Sequence, residues 1–198
     1  MIIWIASYPK SGNTWLRSLL TSYYFSEDGK FDFGLLKNIK QFPSKDFFSK
    51  RVESIDEAAK NWLIIQKKIK DLKKARFLKT HNVFGSYKGN NFTSQEFTLG
   101  AIIVVRDPRN VITSIKNHFG FSDYEIALKY MQTEGAYMEG EDNARYAIVD
   151  SWKTHFISWM KNQSLKRISI RYEDLVNSPE KEFTKVVEFV DALSLIHI

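Results

Sequence analysis

The chain has 198 residues, 43% of them hydrophobic and 26% charged, with no cysteine and a net charge of +6. That balance describes one globular domain able to bury a sizeable core and leaves no room for a second full one. It also excludes disulfides, thiolate metal sites and a cysteine nucleophile, and four scattered histidines offer no zinc site. The positive charge fits a nucleic acid, an anionic membrane surface or a small polyanion. No apolar stretch reaches membrane-spanning length, and Met1 leads straight into an apolar run with no basic leader or cleavage site, so the sequence reads as cytoplasmic.

Residues 2 to 6 are a short, β-branched apolar run that suits a strand buried on both faces. Pro9 stops it, Gly12 gives the next turn access to positive φ, and a helix is predicted from Asn13 or Thr14, with Trp15, Leu16, Leu19, Leu20 and Tyr23 on one face. The loop and helix N-terminus form a positively polarised cradle, with Lys10, Ser11, Asn13 and Thr14 beside it, and a phosphate belongs there. Residues 25 to 54 read as an irregular excursion whose Phe31, Phe33, Phe42, Phe47 and Phe48 either line a pocket or form a satellite core. A helix follows over 55–74. Its Lys67, Lys68, Lys70, Lys73 and Lys74, with Arg76, form a solvated basic face, and nothing in the chain matches a nucleic-acid-binding module.

A short strand at 76–79 precedes a loop over 82–98, where Thr93 and Glu96 have capping-box spacing. The run 101–105 is apolar throughout and reads as a central strand. Asp107 as N-cap and Pro108 at the first helical position start a helix carrying Val111, Ile112, Ile115 and Phe119, and this second junction again offers N–H groups to an anion. Further helices are predicted at 123–132, at 145–161 with Ile148, Trp152, Phe156 and Trp159 buried, and from Pro179 with Phe183, Val186, Val187 and Val190 inward. Between the first two, 135–143 is a polar loop, and 168–172 is a strand. His118, His155 and His197 read as structural, and Glu173 and Asp174 as surface or capping residues. Strands separated by helices imply parallel pairing, with ligands beyond the carboxyl ends of the strands.

Three motifs resemble those of the sulfotransferases that use 3′-phosphoadenosine 5′-phosphosulfate (PAPS). Tyr8-Pro9-Lys10-Ser11-Gly12-Asn13-Thr14-Trp15 is similar to the family's 5′-phosphosulfate loop, Lys79-Thr80-His81 to its catalytic strand end, and Arg106 to Ser114 to its 3′-phosphate site. The resemblance implies a three-layer α/β fold of the P-loop-nucleotide-binding type, with a parallel sheet flanked by helices. It implies PAPS as cosubstrate, no metal, and a small-molecule, glycan or lipid acceptor. By the same resemblance His81 is the general base, Lys10 and Lys79 stabilise the transferred group and its leaving oxygen, and Ser11, Gly12, Asn13 and Thr14 cradle the 5′-phosphate. Trp15 lies near the adenine, Arg106 and Ser114 grip the 3′-phosphate, and Tyr172 reaches the adenine.

The sequence departs from the pattern in places. Asn13 stands where many relatives carry threonine, and Asn82-Val83 follows His81 where Leu-Pro is common. Nothing in 175–198 resembles the family's C-terminal Arg-Lys-Gly loop, so the resemblance implies a single domain lacking that segment, as a fragment or a minimal form. Two other functions stay open: a nucleotide-binding module without turnover, and a P-loop kinase, although Gly-x-x-x-x-Gly-Lys-Ser/Thr is absent.

Overall fold

A computed structural model describes residues 1–48, 52–72, 74–138 and 147–194. The first strand, β1 (Ile2–Ser7), is buried at every residue, as its unbroken apolar run requires. The helix α1 (Asn13–Phe25) follows, then two 3₁₀ turns (Phe33–Asn38, Lys45–Phe47), α2 (Ile55–Asp71) and β2 (Arg76–Thr80). A two-stranded hairpin, β3 (Ser86–Tyr87) and β4 (Asn90–Asn91), leads to β5 (Thr98–Val105), α3 (Pro108–Phe119) and α4 (Tyr124–Gln132). The small strands β6 (Tyr137–Met138) and β7 (Ala147–Ile148) pair with each other, and α5 (Trp152–Met160), β8 (Arg167–Arg171), α6 (Tyr172–Asn177) and α7 (Pro179–Ser194) complete the described chain.

The main sheet has the order β2-β1-β5-β8 and all its pairs are parallel. The alternation of β1 divides two cores. Ile2, Trp4 and Ala6 pack with Trp62, Ile65, Phe92 and Trp159 beneath α2 and α5. Ile3 and Ile5 pack with Leu16, Leu20, Val186 and Val190 beneath α1 and α7. Each fully buried Ile, Leu or Val contributes about 1.5–3 kcal/mol, which is why tertiary packing decides these elements. From β1 the chain crosses first to β2 on one side and later to β5 on the other, so the order reverses between β1 and β5. That reversal opens a crevice at their carboxyl ends.

Several expectations are corrected here. The helix predicted over 145–161 starts only at Trp152, capped by the Ser151 hydroxyl, which accepts from the Thr154 N–H at 3.1 Å. Ile148 is extended because its N–H goes to the Asn82 side chain (2.7 Å) and its carbonyl to the Val83 N–H (2.8 Å). Trp152 and Phe156 are half-buried and stack on each other, while Trp159 is the buried member. Arg145, Lys73, His197 and most of the predicted 135–143 loop lie outside the described residues. Thr93 forms no capping box: its hydroxyl donates to the buried Gln66 (2.6 Å) and meets Thr98 Oγ1, which accepts from the Trp4 indole. The strand predicted at 101–105 begins three residues earlier, at Thr98. Gly100 sits where α7 presses on the sheet, and a Cβ there would lie 2.7 Å from Leu193.

The phenylalanine-rich excursion divides between its two readings. Gln41 forms a parallel bridge to Lys79, so the segment runs beside β2 and drives Phe42 into the core against Trp4, with Phe47 packed on it. Phe31 and Phe33 stay exposed, edge to face at 5.0 Å, over the crevice. Arg17 on α1 anchors that excursion, donating to the carbonyls of Leu36 (2.8 Å) and Ile39 (2.7 Å).

Candidate active site

A cavity of about 660 Å³ lies at the carboxyl ends of β1, β2 and β5. Lys10, Gly12, Asn13, Thr14, Trp15, Lys79, His81, Arg106, Ser114 and Tyr172 all line it, so ten of the eleven site residues anticipated from sequence converge on one space. The eleventh, Ser11, is buried in the loop beneath, its hydroxyl without a protein partner among the described residues. Among the described residues no aspartate or glutamate lines the cavity, while Lys10, Lys79 and Arg106 do.

The loop from β1 to α1 is built to present N–H groups. Lys10 holds a left-handed conformation (φ 65°) that a non-glycine residue adopts at a cost of about 1 kcal/mol, and Gly12 holds another (φ 97°). The helix has no side-chain cap and no acidic residue in its first turn. The first helical hydrogen bond runs from Leu16 N–H to the Gly12 carbonyl, leaving the N–H groups of Asn13, Thr14 and Trp15 without an acceptor among the described residues. Trp15 and Tyr23, expected on the buried stripe, are exposed at 46% and 57%, because the face of α1 turned to the sheet is that of Leu16 and Leu20, with Leu19 and Tyr24 packed beside them.

The Asn13 side chain, expected to face the phosphate, points the other way. It is buried, and its amide donates to the Ile5 carbonyl and to Ser7 Oγ, each at 3.1 Å. Across the β1–β2 pair, His81 Nδ1 lies 2.7 Å from the Ser7 carbonyl oxygen and 3.4 Å from its hydroxyl. A carbonyl only accepts, so Nδ1 carries the ring proton and Nε2 is the free nitrogen of a residue that lines the cavity. Burial, and then the neighbouring Lys79 ammonium, hold His81 well below the usual histidine pKa, against the Ser7 hydrogen bond that raises it. The ring is therefore neutral at pH 7. Lys79 Nζ is held by Gln41 Oε1 at 3.1 Å.

At the other junction the predicted anion-binding N–H groups are already used. Asp107 accepts from the Arg109 N–H at 2.9 Å, the N–H groups of Asn110 and Val111 go to the Asp107 carbonyl, and Pro108 has none. What this junction offers the cavity is side chains. Arg106 pairs with neither Asp107 nor Asp150: it donates to the Lys10 carbonyl at 2.9 Å, bridging the crevice, and lies 4.5 Å over the Tyr172 ring. Tyr172 in turn leaves no room at Gly12, where a Cβ would come within 2.2 Å of its ring. Glu173 ties the two elements together by accepting the Asp107 N–H at 2.9 Å. His155 is structural as expected, buried edge-on to Tyr8, and burial holds its pKa down at about 3. His118, read as structural, is exposed and lines the cavity.

Sequence reasoning missed Ser7 and Gln41. Neither sits in a motif, and each gains its place only when β1, β2 and the excursion come together. Among the described residues no cluster of three or more His, Cys, Asp or Glu is arranged to hold a metal, and no helix is long and apolar enough to cross a membrane.

WSCD family members from Drosophila melanogaster and Drosophila pseudoobscura pseudoobscura are 28% and 27% identical to this chain, over 193 and 197 residues. The alignments cover 94% and 96% of this chain and 49% and 50% of those proteins, so the chain spans about half the length of the curated relatives it matches. Among solved structures, mouse sulfotransferase SULT7A1 complexed with PAP superposes with a TM-score of 0.60 at 18% identity, over 96% of this chain and 58% of that one. Retinol dehydratase in a complex with retinol and PAP gives 0.57 at 14%, over 95% and 59%. These likenesses establish the α/β fold with its parallel sheet. The family model described as "Sulfotransferase domain" matches residues 2–194, and the chain accordingly belongs to the sulfotransferase domain family.

Proposed function

We propose that residues 1–198 act as one sulfotransferase domain that moves a sulfuryl group from PAPS to an acceptor hydroxyl or amine by in-line displacement. The observation that carries this reading is the meeting, in one cavity, of an uncapped helix N-terminus with a neutral histidine whose Nε2 is free. The residues fit the donor. Among the described residues the N–H groups of Asn13, Thr14 and Trp15 and the Ser11 hydroxyl lack protein partners, and Arg106 Nε is likewise buried without one. When bound, PAPS supplies the sulfuryl group and a phosphate leaving group.

The loop N–H groups and Thr14 hold the 5′-phosphate, and Lys10 stabilises charge on the departing bridging oxygen. Arg106 and Ser114 grip the 3′-phosphate, while Trp15 and Tyr172 flank the adenine. His81 Nε2 takes the acceptor proton as the acceptor atom forms its bond to sulfur and the sulfur–bridging-oxygen bond breaks, its electron pair leaving on the phosphate. Lys79, steadied by Gln41, balances the negative sulfuryl oxygens. Phe31, Phe33 and Met138 give the acceptor side an apolar lining, which suits a small-molecule, glycan or lipid acceptor.

Thermal denaturation with adenosine 3′,5′-bisphosphate (PAP), the desulfated product, tests the donor site. Ligand at 100 times its dissociation constant adds roughly 2.7 kcal/mol, worth about 5–10 °C here, with a much smaller shift expected for ATP–magnesium. An equal or larger ATP–magnesium shift favours the kinase reading. His81→Ala is expected to lower the transfer rate by about 10²–10⁴ while PAP affinity holds. PAP binding with no transfer to any of a panel of phenols, alcohols, sugars and amines would instead identify a binding module without turnover.

A further inference from the structure

Asn13 is the first residue of α1 and sits in the cradle motif, yet its side chain serves the opposite side of the loop. One amide N–H goes to the Ile5 carbonyl and the other to Ser7 Oγ. The Ile5 carbonyl can only accept, so the amide is fixed with its nitrogen toward β1. Ser7, the last residue of that strand and fully buried, turns its carbonyl and its hydroxyl toward His81 Nδ1. The strand register brings this about: Ala6 is the partner of Thr80, which places Ser7 beside His81.

We propose that Asn13 is a positioning residue for the proton-accepting nitrogen of His81: by clamping the carboxyl end of β1 it holds the Ser7 carbonyl on Nδ1 and keeps Nε2 free in the cavity. The chemical use of Nε2 rests on the sulfuryl-transfer reading; the geometry does not. Threonine at this place has no amide and cannot supply two N–H donors to two acceptors on β1. What residue 13 gives the donor cradle is its main-chain N–H, which any residue other than proline retains. Rate and donor affinity should therefore separate on substitution, which they would not if the Asn13 side chain held phosphate.

Imidazole ¹⁵N chemical shifts test this directly in the folded, uniformly labelled chain, with His81 assigned by its loss in His81→Gln. Wild type is expected to show one protonated nitrogen, Nδ1, and one unprotonated nitrogen, Nε2. In Asn13→Thr the two shifts are expected to draw together as the tautomers mix. PAP affinity by calorimetry should hold, and kcat should fall roughly 10- to 100-fold, part of the 10²–10⁴ that a general base supplies. Ser7→Ala, which keeps the accepting carbonyl and removes the hydroxyl that the amide holds, is expected to mix the tautomers less and keeps the test usable should Asn13→Thr fold poorly. Unchanged ¹⁵N shifts in both variants overturn the proposal. So does a PAP affinity that falls in step with the rate, because it puts the Asn13 side chain in the donor cradle. A wild-type chain that transfers nothing counts against the sulfuryl-transfer reading alone, since the shifts still decide the geometry.

Discussion

The two strand-to-helix junctions that meet across the crevice share one topology and dispose of their donors in opposite ways. Between β1 and α1 the loop is long, two residues hold positive φ, and the helix start is left without cap or carboxylate. Between β5 and α3 two residues suffice, Asp107 caps the helix, Pro108 removes a donor, and Glu173 takes the remaining N–H of Asp107. The first junction leaves its N–H groups unspent among the described residues, and the second consumes its own. A βα turn in a sheet of this kind is thus not a phosphate site by position. It becomes one when the chain withholds the ordinary caps, and an anion near the capped junction must be met by side chains such as Arg106 and Ser114.

The comparison breaks most severely at Gly12. In Gly12→Ala the new Cβ meets both an unfavourable φ of 97° and the Tyr172 ring at 2.2 Å. Strain and overpacking together are expected to cost about 3 kcal/mol, roughly 6–12 °C in Tm, with PAP binding lost as the loop opens. A variant that melts near wild type and binds PAP normally would show that the loop's shape is not what makes it a cradle. Next in size is Arg106→Ala, which removes a charge-assisted contact worth about 1.5–3 kcal/mol, or 10- to 100-fold in PAP affinity. Adenosine 5′-phosphosulfate, which lacks the 3′-phosphate, should bind the variant and the wild type alike; an equal loss for both nucleotides would mean that Arg106 acts through Lys10 and Tyr172 alone.

Asp107→Ala probes the capped side and is expected to be mildest, about 2–4 °C in Tm with PAP affinity little changed. Its carboxyl pKa is held down at about 2 by the Arg109 side chain and then by the Arg109 N–H. Such a depressed group contributes stability that is present above its unfolded pKa of 3.8 and lost as pH falls through about 2. The Asp107→Ala variant should therefore lose less stability than wild type over that acid range. Parallel acid melts of the two proteins measure it.

Much of this arrangement was legible in the residues. The two central strands declare themselves as apolar runs, the outer two as short β-branched or apolar stretches flanked by charge, and Asp107-Pro108 fixes the start of α3 to the residue. The three motifs sit at strand ends, so parallel topology alone gathers them. What could not be read was decided by distant partners. Ile148 has good helical spacing with Trp152 and Trp159 yet is extended, because Asn82, 66 positions away, takes its N–H. Phe42 and Phe33 look alike in the sequence, and only the bridge from Gln41 to Lys79 separates core from cavity rim. Asn13 belongs to the motif for a reason its position does not disclose, since a polar residue at a helix start reads as a ligand contact whichever way the side chain turns.

The central place of β1 carries a consequence for how the molecule is made. It is synthesised before both of its neighbours, β2 at Arg76–Thr80 and β5 at Thr98–Val105, and cannot be shielded on both edges until about a hundred residues have followed it. Through that interval a strand whose first five residues are apolar, with two open edges, waits on long-range contacts, the kind that slow folding and invite edge-to-edge association. Pro9 and Lys10, one residue beyond the strand, limit how far such a stray pairing can extend. The residues that shape the turn into α1 thus also stand where a stray strand pairing would have to continue.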